Sequence, residues 1–224
     1  MSTQPEQLVF ELPHRTAMGL EDFLVSDSNA AAVNLIDRWP DWPVGAAVLV
    51  GREGSGKTHL ASIWASRAGA VAEKALSITR ERVPELADGG AILIEDIGET
   101  ADEAAIFHLL NLVREQRLQV LLTSNVAPGE LAVRLPDLLS RLKALPMASI
   151  EAPDDQLLRA VLVKLFADRQ LSVEPHIIDY VIVRMERSLR AAERFVAEAD
   201  RQALVLQQRV TRPVAAAALD SLGY

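Results

Sequence analysis

Short apolar runs alternate with helical segments over the first two thirds of this chain. Three runs have the unbroken apolar character of buried strands, namely Ala46–Val50, Ala91–Ile94 and Gln119–Thr123, and Ala148–Ile150 is a weaker candidate. Apolar residues recur at the helical spacing of three and four in Asn29–Trp39, Thr58–Arg67, Glu103–Glu115 and Pro136–Leu142. Because short strands without polar alternation, separated by helices, are typical of parallel sheets, the pattern predicts an α/β fold with helices on both faces of a parallel sheet.

The pattern changes after Pro153. Amphipathic helical segments then follow one another with no strand-like run between them, at Asp155–Arg169, Glu174–Arg184 and Ser188–Gln208, with a weaker helix at Pro213–Leu219. We therefore predict two folded domains, an α/β domain at 17–152 and a small all-helical domain at 153–224. Residues 1–16 are mostly polar around a short apolar group, which predicts an exposed tail.

Composition narrows the functional classes. The chain has 224 residues, 50% of them hydrophobic, and a net charge of −8, which argues against sequence-independent binding to duplex DNA. No apolar stretch approaches the roughly 20 residues of a membrane helix. The N-terminus lacks a signal-peptide pattern and cysteine is absent, so we expect a cytoplasmic protein without membrane contact. The histidines have no metal-binding spacing; they are His14, His59, His108 and His176.

The strongest candidate for chemistry is the sequence Gly-Arg-Glu-Gly-Ser-Gly-Lys-Thr at residues 51–58. It matches the phosphate-loop pattern GxxxxGK(S/T), and it stands between a predicted strand and a predicted helix, as that pattern requires. Its glycines allow successive N–H groups to point inward, where they and the positive end of the helix can hold a β-phosphate. Lys57 then reaches the β- and γ-phosphates, and the hydroxyl of Thr58 binds Mg²⁺. The loop residues predicted to contact a nucleotide are Gly51, Gly54, Ser55, Gly56, Lys57 and Thr58.

The next two predicted strands end in polar residues. Glu95 and Asp96 follow the second apolar run, which is the Walker B arrangement, and Asn125 follows the third. At the carboxyl edge of a parallel sheet the acids come beside the phosphate loop, where one can hold Mg²⁺ through water and the other can orient an attacking water. A strand end that is acidic by chance is the alternative. Asn125 is predicted to sense the γ-phosphate, unless it only begins the turn before Pro128.

Beyond these motifs, the chain resembles the DnaA-related branch of AAA+ ATPases from about Met18 to Leu222. Five blocks carry the resemblance: Leu20–Val25 with Ser28 and Asn29, Gly56–Leu60, Phe107–Asn111, Leu121–Asn125 and Leu135–Leu142. The resemblance implies an AAA+ P-loop NTPase with a helical lid, and ADP or ATP with Mg²⁺ as cofactors. It also implies that His59 lies beside the nucleotide and that Phe23, Leu24 and Val25 line the adenine pocket, although these three apolar residues also suit a core.

The same resemblance implies roles for two arginines. Arg141 matches the arginine finger that projects into the nucleotide site of a neighbouring subunit, and the alternative is an arginine in a structural salt bridge. Arg190 matches the sensor 2 arginine of the lid, which bridges the lid to the phosphates. It stands in a run with Arg184, Arg187 and Arg194, so a solvated basic face is the other interpretation.

The chain departs from the pattern of this branch at two places. Its acidic pair is Glu95-Asp96 where an active hydrolase has Asp-Asp or Asp-Glu, so either carboxylate can be the Mg²⁺ ligand, and weak intrinsic hydrolysis is expected. No helix-turn-helix DNA-binding domain follows the lid before Tyr224, so we expect no direct sequence-specific DNA binding. This favours the truncated Hda type of relative, which promotes hydrolysis of DnaA-bound ATP while tethered to the DNA-loaded sliding clamp.

The tail contains a candidate tether. Gln7 and the spaced apolar anchors Leu8, Phe10 and Leu12 resemble the peptide by which proteins bind the sliding clamp. Gln7 would make directional hydrogen bonds, while the apolar anchors bury surface in a pocket of the partner. The motif is short and degenerate, so its place on a predicted exposed tail is what favours the functional interpretation.

The sequence therefore favours a regulatory AAA+ protein that inactivates DnaA and so acts as a negative regulator of DNA replication initiation. Its expected partners are DnaA and the sliding clamp, the β subunit of DNA polymerase III, and a homodimer of the free protein stays open. One alternative is an autonomous, self-assembling ATPase or loader that acts on nucleic acid or protein. Another is a nucleotide-gated interaction module with no catalytic contribution. The resting nucleotide, ADP or ATP, is also left open.

Overall fold

The computed structural model of this protein describes residues 23–100 and 102–224. The predicted tail at 1–16, with its tether residues Gln7, Leu8, Phe10 and Leu12, lies outside the described residues. The strands found in the described part are β1 (Ala46–Gly51), β2 (Val71–Lys74), β3 (Ala91–Glu95), β4 (Gln119–Ser124) and β5 (Met147–Ile150). The α-helices are α1 (Ala30–Asp37), α2 (Lys57–Ala68), α3 (Val83–Asp88), α4 (Glu103–Gln116), α5 (Pro136–Lys143), α6 (Asp155–Asp168), α7 (Pro175–Ile182), α8 (Leu189–Leu206) and α9 (Arg212–Leu222).

The strands form a parallel sheet in the order β2-β3-β4-β1-β5. β1 lies between β4 and β5, and it pairs Ala46 with Val120 near one end and Gly51 with Ile150 at the other. All six residues of β1 are buried. A strand covered on both faces needs apolar side chains throughout, which is why its sequence shows no polar alternation.

Helices cover both faces of the sheet. Val48 of β1 packs in a layer with α3, α4 and α5, whereas its neighbours Ala47 and Leu49 pack in a layer with α1 and α2. In the second layer Trp64 of α2 is fully buried and stacks on Trp42, with the ring centroids 5.5 Å apart. The predicted α/β fold with a parallel sheet covered on both faces is therefore confirmed.

One β-strand and one α-helix of the described residues were not predicted from the sequence. β2 lies at an edge of the sheet, where Val71 and Ala72 are exposed, so this strand carries no unbroken apolar run. α3 has six residues, too few to show a helical period. The predicted elements are all present with small shifts at their ends; β3 and β4, for example, each extend one residue further, to Glu95 and Ser124.

The last four helices of the chain pack around a core of their own. Phe195 of α8 is fully buried at the centre of this core. Two of the helices begin at side-chain caps, because Asp154 accepts a hydrogen bond from the N–H of Leu157 and Ser188 accepts one from the N–H of Ala191. Within residues 23–100 and 102–224, every helix is too short or too polar to cross a lipid bilayer.

Candidate functional site

Three loops meet at one edge of the sheet because β3, β4 and β1 are neighbours that run in the same direction. The phosphate loop follows β1, the acidic pair stands at the end of β3, and Asn125 follows β4. Side chains at the carboxyl ends of adjacent parallel strands lie side by side, so the topology brings together the polar residues that the sequence leaves far apart. Residues of all three loops line a cavity of about 690 Å³.

The phosphate loop turns sharply into α2. Gly56, the residue before the helix, has a φ of 101°, which lies in the left-handed region that favours glycine. The side chain of Ser55 is buried, and its hydroxyl has no hydrogen-bond partner among the described residues. Thr58 and His59 follow in the first turn of α2, where both are exposed and line the cavity.

The ammonium group of Lys57 is buried at the centre of this edge. Its Nζ donates hydrogen bonds to the carbonyl oxygens of Gly51 at 2.6 Å and Arg52 at 2.9 Å, and to Oδ1 of Asn125 at 3.0 Å. Burial lowers the pKa of Lys57 below its usual value, while the nearby carboxylate of Asp96 acts in the opposite direction. In the described part of the chain Lys57 forms no ion pair within 4.0 Å, and the groups that accept its hydrogen bonds are neutral, so the nearby Asp96 offsets its charge only from a distance.

The two acids of the predicted Walker B pair differ in their position relative to the cavity. Glu95 is the last residue of β3, and its side chain is not part of the cavity wall. Asp96 has a φ of 57°, and its N–H donates to the hydroxyl of Thr123 at 3.0 Å. This conformation sends the chain away from the line of β3, and Asp96 lines the cavity together with Lys57 and Thr58. The structure therefore brings one of the two predicted carboxylates to the site.

Asn125 also lines the cavity, and its amide oxygen accepts the hydrogen bond from Lys57. The turn that follows is closed by its neighbour Ser124, whose hydroxyl donates to the carbonyl of Val126 at 2.6 Å. Asn125 thus has a contact in the cavity in addition to its place at the start of a turn.

The residues predicted for an adenine pocket lie next to the cavity and not in its wall. Phe23 is buried in the layer formed with α1 and α2, and Val25 packs against the same layer. The ring of Phe23 meets that of His59 edge-on, with the centroids 5.4 Å apart. The carbonyl of Leu24 accepts a hydrogen bond from the side chain of Asn29 at 2.9 Å. Among the described residues, His59 is the cavity-wall residue that contacts this group.

Arg190 comes to the cavity from α8. Its guanidinium forms an ion pair with Glu53 of the phosphate loop, and the N–H of Leu189 donates to the carbonyl of Gly54 at 2.9 Å. Neighbouring arginines have other contacts, since Arg187 pairs with a carboxylate of α6 and Arg184 lies over an aromatic ring of α7. The sequence analysis missed Glu53, because it occupies a position where the phosphate-loop pattern accepts any residue.

Arg141 lies outside this cavity, on α5. It is half-buried, and its guanidinium carbon lies 4.9 Å from the centre of the Phe107 ring on α4. Within the described residues its side chain forms neither an ion pair nor a hydrogen bond, so no carboxylate there supports the alternative of a structural salt bridge. Arg141 and the exposed Arg114 line a smaller, mostly apolar cavity of about 280 Å³.

Solved structures identify the fold. Domain III of the DnaA replication initiation protein from Thermotoga maritima has a TM-score of 0.74 at 18% identity, over 89% of this chain and 94% of that domain. AMPPCP-bound DnaA from Aquifex aeolicus has a TM-score of 0.68 at 20% identity, over 80% of this chain and 63% of that one. The RuvB Holliday junction branch migration motor from T. maritima has a TM-score of 0.65 at 18% identity, over 79% and 61%.

No protein-family model matches the sequence. The structural comparisons show that the chain has the AAA+ fold, in a form similar to domain III of DnaA. The chain spans less than two thirds of the length of the Aquifex DnaA and RuvB chains.

We expect Lys57→Ala to abolish tight binding of ADP or ATP while leaving the fold intact. The change removes the buried cation of the cavity, and it takes away no ion pair within the described residues. Nucleotide should raise the melting temperature of the unchanged protein by mass action and leave that of the variant unaltered. Calorimetric titration measures the affinity directly, with the exposed lysine variant Lys74→Ala as control. Unchanged affinity in Lys57→Ala would mean that the phosphate loop is not the site.

The lowered pKa of Lys57 predicts a pH dependence of nucleotide binding. Phosphates favour the charged ammonium, so binding raises this pKa, and it requires proton uptake once the pH has passed the lowered pKa of the free protein. Affinity should therefore fall as the pH rises through that lowered pKa towards 10.5. Titration calorimetry in buffers of different ionisation enthalpy measures the uptake. In Lys57→Arg, whose cation does not deprotonate, the uptake should disappear.

Proposed function

We propose that this protein binds an adenine nucleotide with Mg²⁺ at the phosphate loop and regulates DnaA in the manner of the Hda type. In this function it stimulates hydrolysis of the ATP bound to DnaA and so restrains the initiation of replication. The observation that carries the regulatory part is Arg141, a half-buried cation without a carboxylate partner in the described chain, held outside the protein's own cavity.

The residues at the sheet edge fit a bound nucleotide. Lys57 is a buried cation whose partners are all neutral, and the loop glycines leave backbone N–H groups at the start of α2 for phosphate oxygens. Thr58 and Asp96 offer Mg²⁺ a hydroxyl and a carboxylate, both oxygen ligands of the kind this ion prefers, and phosphate oxygens complete such a site. Magnesium would neutralise phosphate charge there. His59 stands at the side where Phe23 packs, which we propose as the adenine side.

We propose that the protein's own hydrolysis is weak. Asp96 and Asn125 both line the cavity and can position a water, but Arg141 belongs to a different part of the surface. Phosphoryl transfer to water depends mainly on positioning and on the positive charge that faces the transition state. The protein's own cavity has Lys57 and Arg190 but not Arg141, and Arg190 is already paired with Glu53. We propose that Arg141 instead supplies its positive charge to the nucleotide site of another subunit.

The contact with Phe107 suits an arginine that acts in this way. An aromatic ring attracts a guanidinium through its electron-rich face and adds no negative charge. A carboxylate partner would orient Arg141 equally well but would cancel much of its field. The ring therefore offers orientation without loss of charge, which is what stabilisation of phosphate charge in a partner's site requires.

We further propose that Gln7, Leu8, Phe10 and Leu12 form the tether to the sliding clamp, on a tail at 1–16 that precedes an α/β domain at 17–152 and a helical lid at 153–224. The support is the spacing of the polar residue and the apolar anchors in the sequence. Such a tether raises the local concentration of the protein near DnaA at DNA, so its affinity for DnaA itself need not be high. A cytoplasmic location follows from these partners.

The decisive experiment measures single-turnover hydrolysis of ATP bound to DnaA, with and without this protein and DNA-loaded clamp. If the protein is a regulator of this type, hydrolysis of DnaA-bound ATP should be strongly stimulated only when both this protein and loaded clamp are present. The protein alone should hydrolyse ATP slowly. Rapid hydrolysis by the purified protein alone, with no effect on DnaA, would instead indicate an autonomous ATPase or loader.

We expect Arg141→Ala to bind nucleotide and clamp normally yet lose most of the stimulation of DnaA. Arginine fingers supplied by another subunit are worth roughly 10³–10⁵ in rate, since they act on charge that develops in the transition state. Arg141→Lys should also be defective because a point charge does not reproduce the planar fork. Arg114→Ala, which removes the other cation of the small cavity, is the matched control. Full activity of Arg141→Ala would make Arg141 a structural residue.

Replacement of Gln7 and Leu8 by Ala should abolish clamp binding and leave nucleotide affinity unchanged. The reason is that Gln7 is proposed to supply directional hydrogen bonds and Leu8 an apolar anchor, and neither belongs to the phosphate-loop motif at residues 51–58. Gel filtration with purified clamp and calorimetry with ADP test the two properties separately. Replacement of Gln4 by Ala, outside the motif on the same tail, serves as control. Co-elution of the double variant with clamp at unchanged affinity would rule out this tether.

A further inference from the structure

The ion pair between Arg190 and Glu53 joins the lid helix α8 to the phosphate loop at the mouth of the cavity. Both side chains remain largely exposed, with 64% and 75% of their surface accessible. Both also line the cavity in which Lys57 lies. The cation that the lid brings to the site is thus already bound to an anion of the protein itself.

Backbone contacts hold the two partners in this position. The N–H of Leu189 donates to the carbonyl of Gly54 at 2.9 Å, so the residues on either side of this bond are fixed next to each other. A Cβ atom on Gly54 would lie 3.0 Å from Cβ of Ser188 and 3.2 Å from that of Arg190. The loop therefore approaches the start of α8 as closely as a residue without a side chain allows, and it presents Glu53 to Arg190.

The other charges around the cavity make the pairing of Arg190 with Glu53 important for the binding of a phosphate. Among the residues that the structure describes, the cavity wall contains the acids Glu53, Asp96, Glu99 and Glu193, and the lysine and arginine residues there are Lys57 and Arg190. A nucleotide phosphate that enters this cavity is therefore surrounded by more negatively charged than positively charged side chains. Beside the loop N–H groups and Mg²⁺ proposed above, its favourable side-chain contacts are with these two cations, and Arg190 must leave Glu53 or share its hydrogen bonds.

We propose that Glu53 is an affinity-determining residue that competes with nucleotide phosphate for Arg190. This inference rests on the proposed nucleotide site, but it does not depend on DnaA or the clamp. Glu53 acts through Arg190, as an internal anion that a phosphate must displace. The site consequently binds nucleotide less tightly than its two cations allow, and exchange of one nucleotide for another is correspondingly easier.

The test is the affinity for ADP in the full chain, measured by calorimetry at low salt. Glu53→Gln keeps the size of the side chain and removes its charge. Because exposed ion pairs contribute little, we expect ADP to bind about two- to fivefold more tightly in this variant. The gain should shrink at high salt, which screens exposed charges.

A matched control separates competition for Arg190 from a general loss of negative charge. Glu193→Gln removes a carboxylate from the same cavity wall, and Glu193 has no ion pair among the described residues. It should tighten ADP binding less than Glu53→Gln does. In an Arg190→Gln background, Glu53→Gln should bring no more than this general effect. The melting temperature without nucleotide should not rise in Glu53→Gln, so affinity and stability change independently, which a merely structural role does not explain.

Results of two kinds would overturn the inference while the proposed site stands. One is unchanged or weaker ADP binding in Glu53→Gln when the unaltered protein binds ADP. The other is an equal gain from Glu193→Gln, or a gain from Glu53→Gln in the Arg190→Gln background that is as large as in the unaltered protein. If the unaltered protein binds no adenine nucleotide at all, the proposed function fails first and the role of Glu53 fails with it.

Discussion

The buried ammonium of Lys57 is the constraint on which this edge of the molecule depends. Burial removes its water, so oxygens of the protein must replace that water, and they come from Gly51, Arg52 and Asn125. Two of these oxygens are there because the loop turns back over the end of β1, and the third because β4 is the neighbour of β1. The loop, the sheet order and the start of α2 are therefore parts of one arrangement.

The three cations discussed above differ in how the protein treats their charge. Lys57 donates to neutral oxygens and Arg141 contacts an aromatic ring, so both are oriented by groups other than a directly bound carboxylate. Arg190 is paired with Glu53. A cation whose direct partners are neutral is available to an incoming anion, whereas a carboxylate partner makes that anion compete. A cation of the site can thus be directly available to an anionic ligand, or it can become available only when its carboxylate partner is displaced.

Much of the fold and part of the site could be predicted from the sequence. The buried strands were visible because β1 needs apolar residues on both faces, and the phosphate loop because its chemistry requires glycine and lysine at fixed spacing. The edge strand β2 has exposed side chains and gave no such signal. The difference between Glu95 and Asp96 depends on one backbone angle, and the partner of Arg190 depends on how α8 meets the loop. Neither is encoded in a local pattern.

Thr123 shows how the site extends into the interior of the sheet. The paired register of β3 and β4 ends at Ile94 and Leu122. Beyond that point, the hydrogen bond from the N–H of Asp96 to the Thr123 hydroxyl joins the two strand ends. By accepting this hydrogen bond, the Thr123 hydroxyl links Asp96 to β4, the strand after which Asn125 follows. A valine has nearly the same shape and would fill the same space, yet it would leave the two strand ends free to part. A residue that burial alone would class with the core thus belongs, through one hydrogen bond, to the chemistry of the site.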